Sequence, residues 1–307
     1  MSCIGHQLES SFSAASSGIR GEIDLFRALI KALVGLQGAA VAEEYHGAKS
    51  HVVFSAKRGA GRRYPRCELA DLLLLTFRRG RGNAASARMT WMQAKVSSSP
   101  LSLCHVKSVP NQSRIAFGAN LEQWDLLAHR PGIRGATSRF QPPTDLLSAA
   151  VLPSIGSFGV FYQQGSKFNM AYFVGDYLVP LNNHASRSGT LIFKHSSSIR
   201  KIGCFREATV TCCLYYFGMA IESGMVGSPV LSLLSTGRGP ARTARRAWVR
   251  SLLRGLAEDR PESELVRELT GLLGLDLGDA GESPVPTPIP ARFVVLLGYG
   301  NEERAPG

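Results

Sequence analysis

Two stretches of sequence decide the fold: Glu68–Phe77, which reads ELADLLLLTF, and Arg88–Val96, which reads RMTWMQAKV. The first is a nearly continuous apolar run of strand length, which is typical of a strand buried on both faces of a sheet. The second predicts another strand, and the basic, glycine-containing segment between the two predicts a turn. A central sheet that contains both strands is therefore the starting point for the fold.

The elements on either side of this pair predict an α/β protein. Apolar residues at helical spacing, with acidic residues in the first turn, predict a helix over Glu22–Gln37. The other expected elements are a strand over His51–Ala56, a helix over Leu121–Ala128, and strands over Ser157–Tyr162 and Ala171–Leu178. The order helix, strand, strand, strand, helix, strand predicts a central mixed sheet with helices packed on its faces.

Changes in composition divide the chain into three parts. Residues 1–17 are rich in serine and are predicted to be a flexible amino terminus. Residues 18–230 carry the α/β elements and are predicted to form one domain. Residues 231–307 are predicted to be a smaller extension: a basic linker, two short helices, a Pro-rich linker and a terminal strand over Arg292–Tyr299 that could join the core sheet.

The net charge indicates the class of partner. The chain has 307 residues, 44% of them hydrophobic, so it can bury a sizeable core and is not disordered as a whole. Its formal charge is +12, from 35 basic and 23 acidic residues. Such an excess suggests a polyanionic partner, most often nucleic acid and less often an anionic membrane, although a soluble basic protein without such a partner stays an alternative.

Cysteine spacing and hydropathy indicate the compartment. The six cysteines are scattered, the histidines lie at no zinc-site spacing from them, and we expect reduced thiols. The amino-terminal sequence lacks the pattern of a secretory signal, and no apolar run is long enough for a transmembrane helix. We therefore expect a cytoplasmic protein with no membrane partner.

The positive charge is concentrated in one segment. Lys57–Lys95 contains ten basic and only two acidic residues, and most of the basic ones lie in the turns around the two central strands. Such a cluster is either a solvated surface or a track for the phosphate backbone of nucleic acid. The residues predicted to make phosphate contacts are Arg62, Arg63, Arg66, Arg78, Arg79, Arg81 and Arg88.

Three polar residues in the central strands form a candidate site. Strand alternation places Asp71 on one face with Leu73 and Leu75, and it places Gln93 and Lys95 together on one face of the next strand. A carboxylate in a buried strand is costly unless it is paired or ligates a metal. If the strands are neighbours, Asp71, Gln93 and Lys95 converge. The alternative for Asp71 is a structural pair with an arginine such as Arg88.

Phosphodiester hydrolysis is the chemistry that uses such a set. A hydrated Mg²⁺ takes hard oxygen ligands, and Asp71 would be the main one, helped by the Gln93 amide oxygen. Glu68 is either a further ligand or a surface charge. The metal would polarise the phosphate and lower the pKa of a bound water. Lys95 would orient that water or stabilise charge that builds on the phosphate.

Asp71, followed by the apolar run and then by Gln93-Ala-Lys95, resembles the PD-(D/E)xK restriction-endonuclease-like superfamily. It is most similar to the variant D…QxK, as in Mrr-type nucleases, in which glutamine replaces the second acid. The resemblance covers roughly residues 20–175. The superfamily's αβββαβ core matches the order of predicted elements, and its members often add a glutamate from the first helix. Glu22 is the best match for that glutamate, and the alternative is a charge at the helix amino terminus; Glu43 and Glu44 match less well.

The resemblance implies a Mg²⁺- or Mn²⁺-dependent endonuclease that acts on DNA, with RNA not excluded. It also suggests a role in bacterial defence and either a homodimer or a complex with a regulatory protein. The glutamine leaves the site one charge short, which puts the affinity for metal in doubt. Two alternatives therefore stay open: an inactive member that binds nucleic acid or serves in assembly, and an unrelated basic α/β interaction protein.

Overall fold

The computed structural model of the chain describes residues 3–36, 40–41, 50–57, 61–79, 86–98, 115–138, 140–181, 186–194, 197–259, 264–274 and 293–299. It confirms the α/β class: a mixed sheet of eight strands, three small sheets and several helices. In the described part of the chain, no helix is both long and apolar enough to cross a membrane.

Helices lie at both ends of the chain as well as around the sheet. The predicted helices over Glu22–Gln37 and Leu121–Ala128 are confirmed, as are the two in the carboxy-terminal part. The bounds are α1 Ile4–Ala15, α2 Glu22–Val34, α3 Leu121–His129, α4 Leu214–Glu222, α5 Val230–Ser235, α6 Pro240–Asp259 and α7 Glu264–Leu272.

The strands divide between the main sheet and the three small ones. In chain order they are β1 Ala40–Val41, β2 His51–Phe54, β3 Arg66–Glu68, β4 Leu72–Arg79, β5 Ser86–Val96, β6 Ala116–Asn120, β7 Ile133–Gly135, β8 Gly156–Gln164, β9 Lys167–Val174, β10 Leu178–Pro180, β11 Ser188–Phe193, β12 Ile199–Ile202, β13 Phe205–Ala208, β14 Val210–Thr211, β15 Ser228–Pro229 and β16 Phe293–Tyr299. The main sheet has the order β1-β16-β4-β5-β8-β9-β14, and β15 also pairs with β5.

The two central strands are neighbours, as the sequence predicts. β4 runs antiparallel to β5, with Leu72 opposite Met92. β5 runs parallel to β8, with Gln93 beside Phe158, and α3 lies in the connection between these two strands. Their apolar residues are buried on both faces of the sheet, which is why the run from Leu72 to Leu75 shows no alternation.

The predicted strand over Glu68–Phe77 is two elements rather than one. β3 ends at Glu68 and belongs to the small sheet β3-β2-β7, while β4 starts at Leu72 in the main sheet. The backbone changes hydrogen-bond partners between them: the Leu69 N–H donates to Ser50 O, and the Asp71 N–H donates to Met92 O. Asp71 thus lies where the chain passes from one sheet to the other.

The neighbour of β4 on its other side comes from the carboxy-terminal part of the sequence. The strand expected over His51–Ala56 forms as β2, but it pairs with β3 and β7. β16, from the far end of the sequence, runs parallel to β4 instead. This confirms the terminal strand and its place in the core sheet, while the division into domains at residue 230 stays a prediction.

The amino-terminal segment that was predicted to be flexible forms helix α1. Leu8 and Phe12 are buried, and the ring of Phe12 stacks on that of Phe161 at 5.7 Å between centroids. Gly5 lies so close to α4 that an added Cβ would be 2.4 Å from Tyr215 O. The prediction from serine-rich composition was therefore wrong, because tertiary packing rather than intrinsic propensity stabilises this helix.

Candidate active site

Asp71 is the centre of the candidate site. Its Oδ2 accepts a hydrogen bond of 2.7 Å from the backbone N–H of Ala94 in β5. Asp71 lies immediately before β4, and its N–H donates to Met92 O, so its backbone and its carboxylate both bond to the part of β5 that leads to Lys95. Asp71 and Lys95 each lie close enough to Glu68 to act on the charge of its carboxyl group. The structure thus brings Asp71 and Lys95 into one region, and a contact of the Gln93 side chain with them stays a prediction.

Lys95 is held by a residue from the first predicted helix. Its Nζ lies 3.5 Å from Glu22 Oε1, and only 15% of the lysine side chain is exposed against 46% of the glutamate. Glu22 is also the first residue of α2, where a negative charge interacts favourably with the helix dipole. Both interpretations of Glu22 thus apply: it is a helix-terminal charge, and it lies within ion-pair distance of the site lysine.

Glu68 brings a second carboxylate close to Asp71. Its Oε1 accepts a hydrogen bond of 3.3 Å from Ser50 Oγ. Burial raises the pKa of the Glu68 carboxyl to about 7, and the negative charge of Asp71 adds to the increase, while Ser50 and Lys95 oppose it. Two carboxylates that repel each other at neutral pH favour either a shared proton or a cation.

Gln93 lies in β5 between Met92 and Ala94, the two residues whose backbone bonds to Asp71. None of its surface is exposed, and neither its Oε1 nor its Nε2 has a hydrogen-bond partner among the described residues. A buried polar group without a partner costs about 1–3 kcal/mol. The glutamine of the D…QxK pattern is therefore buried at an energetic cost, in the strand that bonds to Asp71.

The donor set can be compared with what different metals need. Among the described residues, no group of three His, Cys, Asp or Glu side chains could hold a metal ion. Mg²⁺ keeps several waters and uses only one or two carboxylates, a number that Asp71 and Glu68 could supply.

Two of the predicted phosphate contacts bond to the protein itself. Arg88 is buried, its Nη1 donates to the carbonyl oxygens of Arg206 and Gly227, and burial lowers its pKa, so the prediction for Arg88 is wrong. It lies opposite Thr76, several residues along β4 from Asp71, so it does not pair with Asp71 either. Arg62 holds the Glu122 carboxylate with Nε and Nη2 but is about half exposed, and its contact with phosphate stays a prediction.

The other predicted contacts remain on the surface or lie outside the described residues. Arg63 lies over the Tyr64 ring at 5.3 Å from its centroid, and Arg66 and Arg78 are exposed. The side chain of Arg79 and the whole of Arg81 are not among the described residues, and neither are the weaker candidates Glu43 and Glu44.

Comparison with known proteins gives no family. The chain matches no protein-family model, no curated protein and no solved structure. The resemblance to restriction-endonuclease-like enzymes therefore depends on the motif residues and on their arrangement.

Sequence reasoning missed Glu122 and Arg187, which lie near the predicted residues. Glu122 is fully buried in the first turn of α3, and Arg187 precedes β11. Asn120, whose side chain accepts from the Glu122 N–H, gives the helix start a recognisable cap. Nothing local signals that Glu122 pairs with arginines from two distant segments.

Proposed function

We propose that this protein is a metal-dependent nuclease that hydrolyses phosphodiester bonds of DNA, with a D…QxK site of the restriction-endonuclease-like type. One observation carries the proposal. Glu22 of α2 lies 3.5 Å from Lys95 of β5, Asp71 bonds to Ala94 of the same strand, and the charges of Asp71 and Lys95 both act on the carboxyl of Glu68 in β3. A carboxyl group with a raised pKa that lies among other charged groups is typical of catalytic sites.

The carboxylates would hold the metal. Asp71 and Glu68 are the ligands, with Mg²⁺ or Mn²⁺ as the cation, and the raised pKa of Glu68 is consistent with two carboxylates that need a positive partner. The bound ion would polarise the scissile phosphate and lower the pKa of a coordinated water. The backbone N–H of Ala94 fixes Asp71 Oδ2, so this carboxylate is oriented before any ligand arrives.

Lys95 would act on the reacting groups. Its largely buried ammonium is suited to orient the attacking water and to stabilise the charge that builds on the phosphate oxygens. Water oxygen forms the new P–O bond, the bond to the leaving oxygen breaks, and the water's protons end on solvent and on the leaving alkoxide. Glu22 is a positioning residue, since it contacts the lysine rather than the phosphate.

The order of the elements supports the same proposal. A helix precedes the antiparallel pair β4–β5, and a second helix, α3, leads to β8, which is parallel to β5. These relations agree with the second half of an αβββαβ core. The departure is at the strand before β4, whose place in the sheet is occupied by β16.

Cleavage of plasmid DNA tests the proposal. We expect wild-type protein to cut supercoiled plasmid in Mg²⁺ or Mn²⁺ and not in EDTA. The variants Asp71→Ala and Lys95→Ala should each lose at least about 100-fold in rate. The exposed pair Asp176→Ala and Lys167→Ala serves as a charge-matched control that should cut normally. Absence of metal-dependent cleavage, or undiminished cleavage by the two site variants, would contradict the proposal; a parallel assay on RNA identifies the substrate.

The second candidate is an inactive protein that keeps this fold and binds nucleic acid. It is favoured by the glutamine in place of a second strand acid and by the ion pair between Glu22 and Lys95, which already neutralises the lysine. It predicts DNA binding that weakens steeply with salt, together with no cleavage in any metal.

A further inference from the structure

A cluster of one carboxylate and two guanidinium groups lies beside the catalytic residues. Glu122 accepts from Arg62 Nε at 2.8 Å and Nη2 at 2.6 Å, and from Arg187 Nε at 3.2 Å. We call these three residues the arginine clamp. The Glu122 side chain is completely buried, whereas 48% of Arg62 and 60% of Arg187 is exposed. The acid is thus hidden, and both cations reach the surface.

The charge of the arginine clamp exceeds what burial of Glu122 requires. A bidentate arginine already compensates a buried carboxylate, and Arg62 provides that pair. Arg187 adds a second positive charge, so the cluster carries a net charge of about one positive unit on its exposed side. Arginine presents five donors, and the bonds to Glu122 engage Nε and Nη2 of Arg62 and Nε of Arg187.

The arginine clamp is rigid for a surface cluster. Arg62 follows a turn glycine, Glu122 is fixed by the Asn120 cap, and Arg62 Nη2 also lies 3.4 Å from Arg66 O. Surface arginines normally lose rotamer freedom when they bind a ligand. Here a buried carboxylate has already restricted both side chains, which lowers the entropic cost of binding an anion.

The arginine clamp is next to the candidate active site. Cys67, which directly precedes Glu68 in β3, is close enough to Glu122, Arg62, Arg187 and Glu68 for all four charges to act on its buried thiol. Successive residues of a strand point to opposite sides. Glu68 faces Asp71 and Lys95, so the arginine clamp lies across β3 from the catalytic cluster.

We propose that Arg62 and Arg187, held by the buried Glu122, bind a backbone phosphate of the nucleic acid. This inference rests on the proposed nuclease function and adds the group that holds the substrate strand. Planar, bidentate donors are the ones that suit phosphate oxygens. Both guanidinium groups are about half exposed and fixed by the buried carboxylate, so they can offer such donors to a strand that runs over this surface.

The proposal is tested by binding of a duplex DNA of about 30 base pairs. Binding is measured by fluorescence anisotropy in EDTA over a range of KCl concentrations. Each phosphate contact contributes a slope of about 0.9 in the plot of log K against log salt. We expect Arg187→Ala to lower the slope by about one and to weaken binding roughly threefold to tenfold near physiological salt. Arg267→Ala, which removes an exposed arginine from α7, is the matched control and should change neither.

The variant Glu122→Gln distinguishes binding by the arginine clamp from binding by a diffuse positive surface. This change raises the net charge by one, so a diffuse electrostatic surface would bind DNA more tightly. A geometric clamp would bind more weakly, because the guanidinium groups lose their anchor. Arg187→Lys, which keeps the charge and loses the fork, gives the same distinction if Glu122→Gln fails to fold in a thermal melt.

The outcomes separate this proposal from the proposed function. If the wild type cleaves DNA but Arg187→Ala behaves like Arg267→Ala, or Glu122→Gln binds more tightly, the arginine clamp is wrong and the nuclease stands. If the wild type neither binds nor cleaves nucleic acid, both proposals fail. Weaker binding by Arg187→Ala and by Glu122→Gln, with normal melting, supports the arginine clamp.

Discussion

The two ends of β5 carry polar clusters whose central buried groups are bonded differently. Near Arg88, the buried Glu207 accepts one hydrogen bond from Tyr177 OH at 2.7 Å and another from the Ser154 N–H at 3.1 Å. Near Lys95, the two polar atoms of the buried Gln93 amide have no partner among the described residues, and burial raises the pKa of Glu68 to about 7.

We interpret the cluster near Arg88 as one that stabilises the folded state and the cluster near Lys95 as one that destabilises it. Glu207 and Arg88 connect the sheet to neighbouring segments through groups that the chain itself provides. At the Lys95 end, the Glu68 and Asp71 carboxylates repel each other and the Gln93 amide lacks partners among the described residues, and both features cost folding free energy. Such local costs are concentrated at functional sites. If the comparison is right, substitutions at the Arg88 end reduce stability, and substitutions at the Lys95 end reduce activity while stability stays equal or improves.

Glu207→Gln is the change with the largest expected effect on stability. The amide is a poorer acceptor for Tyr177 OH and the Ser154 N–H, and it removes the negative charge nearest to buried Arg88. We expect the free energy of unfolding to fall by about 1–3 kcal/mol, as measured by urea denaturation. DNA cleavage per folded molecule should not change. Unchanged stability would show that the satisfied cluster is not structural, and the comparison would then be wrong.

Gln93→Leu tests the opposite end of the strand. Leucine removes an amide whose two polar atoms lack partners, in a site that is already fully buried. We expect the metal-free protein to gain roughly 1 kcal/mol in stability and to lose cleavage activity. Gln163→Leu, at an exposed residue of β8, is the control and should give no gain. Loss of stability in Gln93→Leu would mean that the amide is well accommodated.

Glu68→Gln should have the smallest effect, one that depends on pH. The raised pKa of Glu68 means that the folded state keeps a proton that the unfolded state has lost between pH 4.5 and about 7. Wild-type stability is therefore expected to fall as pH rises through that window. In EDTA, the melting temperature of Glu68→Gln relative to wild type should rise between pH 5 and pH 8. A constant difference across this range would show that burial does not perturb Glu68.

Patterns within single segments predicted most of the elements. The apolar run at Leu72–Leu75 and the alternation that places Gln93 and Lys95 on one face gave the strands of the site. Alternation cannot say which strand pairs with which. The partner of β4 is chosen by packing across the whole chain, so the sequence pattern predicted the strand at His51–Ala56 but not that it would pair with β3 and β7 in a separate sheet.

Charged residues were predicted less well because composition does not show which way a side chain points. Arg88 and Arg62 belong to the same basic segment as Arg63 and Arg66, yet Arg88 is buried and Arg62 holds a buried acid. Ile23 shows the same effect in α2: it matches the helical apolar spacing but is 62% exposed, whereas Leu25 and Leu29 are buried. Strand geometry correctly placed Gln93 and Lys95 in one strand that bonds to Asp71, while the role of these three residues in a site stays a prediction.

The parallel pairing of β16 with β4 has a consequence for synthesis of the protein. Until residues 293–299 emerge from the ribosome, β4 has an unpaired edge, and Asp71 lies at its start. Pairings between such distant segments form late, and exposed apolar edges invite association between chains. The edge of β4 at the candidate site is thus paired only after a segment far downstream in the sequence has been made, so the main sheet is still incomplete when its central strands have already left the ribosome.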